Sequence, residues 1–192
     1  MRLREWADRQ VRKRDLRRVI EETHFQMRLW QGFNIAIEVT EYDKSVLDRF
    51  DNTLPEYMDA LLAGLRESEA RLWGFKGDPI EWNEFQIMIA AGAVKWDEDK
   101  RERLILAEVY LNPLRGRLTH VLDELRVGHV TTSEARATLK SEIDSFCEQC
   151  LEHCKRLEDE AISDGLANHS IIEKHKRLAE KRVGATIGRV LS

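Results

Sequence analysis

The sequence predicts an all-α protein, a multi-helix bundle of about six to seven helices with a long helical hairpin towards its C-terminal end. Three observations predict it. Only ten Gly and three Pro interrupt 192 residues in which charged side chains make up 34%, a composition rich in helix formers and poor in breakers. Apolar residues recur at three and four positions more often than at two. The gaps between these runs carry helix caps.

The first run, residues 3–31, contains no Pro or Gly before Gly32. Its first half is polar almost all round, which is not the pattern of a core helix. Apolar character rises from Val19, so the second half is expected to pack. Ile35 to Val39 alternates apolar and polar residues without a second alternating segment to pair with, and reads as helix or linker. Thr40-Glu41-Tyr42-Asp43 has the residue types of a helix start. Asp51-Asn52-Thr53-Leu54-Pro55 marks a break, with Thr53 as cap and Pro55 in the next first turn. The helix that follows places Tyr57 or Met58, Leu61, Leu62, Leu65, Leu72 and Trp73 near one side and stops at Gly74. Lys76-Gly77-Asp78-Pro79 reads as a turn. The segment Trp82 to Val94 is the most apolar in the chain and is expected to form the centre of the core. A further helix from Asp97 meets Asn112-Pro113, which either kinks it or starts a new one.

Gly128 suits the left-handed end of one helix, and Thr131 with Glu134 forms a capping box for the next. The pattern Leu122-x-x-Leu125-x-x-Gly128-x-Val130-Thr131-x-x-Glu134-Ala135-x-x-x-Leu139 resembles the helical hairpin of short bacterial SHOCT-like oligomerisation modules. The resemblance covers under a tenth of the chain and rests mainly on cap chemistry, so no function is carried across it. A DNA-reading hairpin fits poorly, because Glu134, Glu142, Asp144 and Glu148 on its second helix would face phosphate. That helix is expected to end at Gly165, with Asn168 capping a last helix whose tail, residues 184–192, is weakened by Gly184 and Gly188.

The length fits one domain, residues 1–192, able to bury roughly 70% of its unfolded surface without a disulfide or metal staple. No apolar run approaches the ~18–20 residues of a membrane span, and the charged opening Met1-Arg2-Leu3-Arg4-Glu5 lacks the apolar stretch of a signal peptide. Three cysteines within eight positions do not make a disulfide framework, and the expected compartment is a reducing cytoplasm.

Charge divides the chain more sharply than the net −4 implies. Residues 2–18 hold eight cations against Glu5, Asp8 and Asp15, a net of +5, and residues 174–192 are again +5, leaving −14 between them. Such ends suit phosphate or an acidic protein surface. Residues 1–18 read as a basic arm able to project, with Arg2, Arg4, Trp6, Arg9, Arg12, Lys13, Arg14, Arg17 and Arg18 as the candidate partner-binding set. An exposed Trp among arginines suits a protein interface or stacking on single-stranded nucleic acid.

Phe146 to Cys154 holds every cysteine in the chain. With Phe146 at zero, helical geometry points Cys150, Cys154 and Cys147 to about 40°, 80° and 100°, on or beside the apolar stripe. Core packing is the simpler reading, since free Cys behaves as a small hydrophobe. Cys150, His153 and Cys154 are the candidates for a metal or redox site. Against it, Cys147 and Cys154 stand ~10.5 Å apart along an intact helix, and nearby Glu148 and Glu152 raise a thiol pKa. Glu21-x-x-His24 is half of a di-iron carboxylate signature without its second half. The phosphate-loop, dinucleotide, nucleophile-elbow and HExxH motifs are absent. The sequence therefore points away from catalysis and names no cofactor. It points towards assembly with a protein partner or with itself, and alternatively towards nucleic acid.

Overall fold

The computed structural model describes residues 3–74, 82–91 and 101–190. These form an all-α multi-helix bundle, with no strand among the described residues. The expected turn at Lys76–Pro79, the helix start at Asp97 and Trp96 lie outside them.

The first helix, α1, spans Leu3–Thr40 and is longer than its sequence pattern predicts. It does not stop at Gly32, because both of its faces have work beyond that point. Ile37 is buried, and Asn34 Nδ2 donates to Lys140 O at 3.1 Å and to Asp144 Oδ1 at 2.5 Å. Ile35 and Val39, four residues apart, share the opposite, exposed face. The apparent strand-like alternation is thus one helix with apolar residues on two sides. Asp43, not Thr40, caps α2 (Lys44–Asn52), accepting from the amides of Ser45 and Val46. Thr40 Oγ1 donates back to Ile37 O instead. Thr53 precedes α3 (Leu54–Trp73) without a side-chain cap bond, because its hydroxyl donates to Arg49 O and Phe50 O. Gly74 closes α3 in the left-handed conformation, φ 77°.

Helix α4 (Trp82–Ala90) is not enclosed on every side in the way its composition predicts for a central helix. Ile87 is 68% exposed, and Asn83, Glu84, Gln86 and Ala90 are exposed too. The side chains of Trp82, Phe85 and Ile89, and residues 92–94, lie outside the described residues. Among the described residues the core is built on α1, α3, α6 and α7, where Trp30, Leu65, Leu118, Leu139 and Phe146 belong to one buried cluster.

Asn112-Pro113 neither breaks nor simply kinks its helix. Between α5 (Arg101–Ile105) and α6 (Asn112–Arg126) the chain makes a π turn over Leu106–Leu111. The Asn112 amide bonds Ala107 O, an i→i+5 step. Pro113 has no amide proton, and its ring would press on the Val109 carbonyl in an α register. The wider turn lets the helix pass through.

The hairpin forms as its caps predict. Gly128 has φ 76°, and Thr131 and Glu134 bond reciprocally at the start of α7 (Thr132–Ser163). A turn at Gly165, φ 63°, leads to α8 (His169–Val190), with Ile171 N donating to Asn168 Oδ1. Helices α1 and α7 run antiparallel: Arg9 and Arg12 meet Asp164 at one end, and Arg136 meets Glu41 at the other. Helix α8 lies beside α1 in the same direction, His175 on Glu21 and Arg182 on Glu22. A second, smaller apolar cluster joins these three. Leu16, Val19 and Ile20 pack with Leu157, Ala161 and Leu166. The nominally polar half of α1 is therefore seated from about Asp15 onward, and Asp15 itself is buried on Arg103. No described helix is long and apolar enough to cross a membrane.

Candidate interaction surfaces and the cysteine seam

The nine residues singled out at the N-terminal end divide into two sets. Arg9 donates to Asp164 O and Gly165 O, Arg12 Nη2 stands 2.8 Å from Asp164 Oδ2, and Arg17 donates to Leu166 O. These three fasten α1 to the α7–α8 turn. Arg4, Lys13, Arg14 and Arg18 have no ion-pair partner among the described residues, and Arg2 lies outside them. Trp6 is 51% exposed beside this second set. A shallow groove on the outer face of α1 is lined by Trp6, Gln10, Val11, Lys13, Arg14 and Arg17. Fastened cations and free cations thus share one rigid helix end. From Arg4 to Arg9 every residue is exposed, so these turns stand clear of the bundle.

The basic C-terminal segment divides in the same way, by helical period. His175, Lys176 and Arg182 turn inward. They pair with Glu21, Glu158 and the Glu21–Glu22 pair respectively, and the Arg182 guanidinium lies 4.2 Å from the centre of the Phe25 ring. Lys174, Arg177 and Lys181 turn outward with Leu178 and Ser170 along a shallow groove on α8. Lys176 and Arg182 are therefore neutralised inside the fold, whereas Lys174, Arg177 and Lys181 face solvent.

The cysteine segment is a packing seam. Cys147, Cys150 and Cys154 are all free and buried on the apolar stripe of α7 with Leu139, Ile143, Phe146 and Leu157. Burial pushes the Cys147 and Cys154 thiols up to about 12, with Asp144 and Glu158 adding to the effect, and raises Cys150 as well. A metal or a nucleophilic reaction uses the thiolate, which these surroundings disfavour. Among the described residues no group of three or more His, Cys, Asp or Glu side chains is arranged to hold a metal ion. Glu21 and His24 do not face a shared ion. His24 Nε2 sits 3.0 Å from Glu158 Oε1, and Glu21 is held by His175 and Arg182.

His153 is buried against the ring of Tyr110, a residue of the π turn, with ring centres 4.6 Å apart. Its Nδ1 lies 3.1 Å from Arg156 Nη2. An arginine only donates, so Nδ1 accepts and the neutral ring carries its proton on Nε2. That Nε2 has no hydrogen-bond partner. Burial first, then the Arg156 charge, lowers the His153 pKa to about 4.

One surface has no counterpart among the sequence-derived candidates. Ile35, Val39 and Tyr42 are 59%, 61% and 90% exposed at the far end of α1. The signal was present in the Ile35–Val39 alternation, but alternation alone does not separate a strand from a helix with two apolar faces. Comparison with protein families, curated proteins and solved structures finds no match to this chain.

Proposed function

We propose that this protein acts by association rather than catalysis, as an all-α assembly or adaptor protein that docks a protein partner on the outer face of the first turns of α1. The observation that carries this reading is Trp6, half exposed among the unpartnered cations Arg4, Lys13 and Arg14 on a helix end that Arg9 and Arg12 hold in place. A large aromatic flanked by arginines is the side-chain chemistry of interface hot spots. A pre-formed helix also loses little conformational freedom on docking. The three free, buried thiols fit a reducing compartment such as the cytoplasm.

The test is a pair of surface variants, Trp6→Ala and Arg14→Glu, compared with the wild type by light scattering and by chemical cross-linking in the host. Both side chains point away from the core, so the helical circular-dichroism signal should be unchanged while association is lost. Association that survives both substitutions would sink the proposal.

A second reading is nucleic-acid binding, favoured by Lys174, Arg177 and Lys181 facing outward together on α8. It predicts binding to single-stranded DNA or RNA that weakens steeply with salt, and that falls when Lys174 and Lys181 are changed to Glu. No binding at low salt would remove it.

A further inference from the structure

Resting on the association reading above, we infer that the partner is a second copy of this chain, docked head to tail, with the first turns of α1 in one copy lying on the last turns of α1 in the next. Four of the exposed large hydrophobic residues lie on or next to α1, and they sit at its two ends: Trp6 at one, Ile35, Val39 and Tyr42 at the other. At 100° per residue, Ile35 points within about 20° of Trp6, and Val39 within about 60°. The two ends therefore belong to one stripe of the helix. They are 29 residues apart, ~43 Å along the axis, so Trp6 of a copy cannot reach its own Ile35.

The charges at the two ends are complementary. Residues 2–18 are +5, whereas residues 38–59 carry seven carboxylates against Lys44 and Arg49, and Lys140 on Glu38 and Glu41, Arg136 on Glu41 and Asp51, and Arg126 on Asp59 bring that end to −2. Glu38 borders the Ile35–Val39 stripe, exposed, with its carboxylate 3.8 Å from Lys140 Nζ. Asp43 and Asp48 beside it are exposed as well. Docking Trp6 onto Val39 and Ile35 brings the cations that line its groove, Lys13 and Arg14, towards the acidic end of the next copy, opposite signs at the rim of a small apolar centre.

The middle of the stripe decides the symmetry. Between its ends the stripe is bridged by the α7–α8 hairpin: Arg17 meets Leu166 O, and His24 and Lys176 meet Glu158. In a two-fold antiparallel pair of α1 helices, the two hairpins would occupy the same space. When only the ends overlap and the helices run in the same direction, the bodies lie on opposite sides of the contact. Such a heterologous contact does not close, so it generates chains of copies. The overlap is about two turns, which places it among weak, reversible interfaces.

The test uses two variants and their mixture: a head variant, Trp6→Glu with Arg14→Glu, and a tail variant, Ile35→Lys with Val39→Lys. Analytical ultracentrifugation of the wild type should show species larger than dimers that grow with concentration and shrink with salt. Each variant alone should be monomeric. An equimolar mixture should form one-to-one dimers and grow no further, because one intact head meets one intact tail. A monomeric wild type, or a tail variant that assembles like the wild type, overturns the head-to-tail contact. If a Trp6-dependent cross-link to a different host protein remains in either case, the broader association reading still stands. Self-association that is indifferent to both Trp6 and Val39 overturns both.

Discussion

Arg9 Nη2 lies 3.3 Å from the carbonyl oxygen of Gly165, so the second turn of α1 is tied to the left-handed residue that ends α7. The tie fixes the direction in which Trp6 and Arg4 stand out from the bundle. A Cβ at residue 165 would sit 3.1 Å from Arg9 Nη2, and φ there is 63°. The side chain can yield, but the backbone conformation cannot be adopted by alanine without strain. Gly165→Ala should therefore destabilise the fold by about 1 kcal/mol or somewhat more, read as a lower urea midpoint with an unchanged slope. It should also weaken association, although it lies outside the proposed contact.

His153 makes stability depend on pH in a defined window. Its folded pKa, lowered to about 4, lies below its ordinary value of 6.5. Between those values the unfolded chain binds the proton and the folded chain does not, so stability is complete above about pH 6.5 and falls as pH drops towards about 4. The loss should amount to roughly 3 kcal/mol. His153→Leu removes both the titrating group and the unpartnered Nε2. It should flatten this part of the profile in urea titrations at a series of pH values. A variant with the wild-type slope would show that other groups set it.

Cys147, Cys150 and Cys154 should be inert in the native protein. Burial holds their thiols protonated and hides them from reagents. A maleimide at neutral pH should label all three in denaturant and none within the time of a native pulse, with native labelling proceeding only at the rate of unfolding. Rapid labelling of one thiol in the folded state would return the segment to consideration as a reactive site.

The capping box at α7 is exposed and local, so its contribution is separable from the core. Thr131 Oγ1 accepts from the Glu134 amide at 3.2 Å, and Glu134 Oε2 accepts from the Thr131 amide at 2.8 Å. The Thr131 amide first, and then its hydroxyl, both donating to Glu134 Oε2, hold the Glu134 carboxyl below its ordinary range. Thr131→Ala should cost about 1 kcal/mol in thermal or chemical denaturation without changing the oligomeric state.

Local signals made most of the helix boundaries legible in the sequence. Gly74, Gly128, Gly165, Thr131 and Asn168 each do what their residue type and spacing predict. Non-local packing explains the differences. The apolar character of the Trp82–Val94 segment does not enclose α4 on every side, since Ile87 is exposed. Helices α1 and α7, at 38 and 32 residues, offer continuous buried faces that nine residues cannot. The π turn before Pro113 is likewise a response to a missing amide that sequence alone leaves open between a kink and a cap. The basic set at the N-terminal end was visible as a set, but its division was not. Whether Arg9 fastens the helix or Arg14 faces a partner depends on where the α7–α8 turn lies, 155 residues further along the chain.

The most direct measurement is the mass of the native protein by light scattering across a concentration series, for the wild type and for Trp6→Glu with Arg14→Glu. Head-to-tail association predicts a wild-type mass that rises with concentration, and a variant that stays monomeric with the same helical content. Two indistinguishable mass profiles would contradict it.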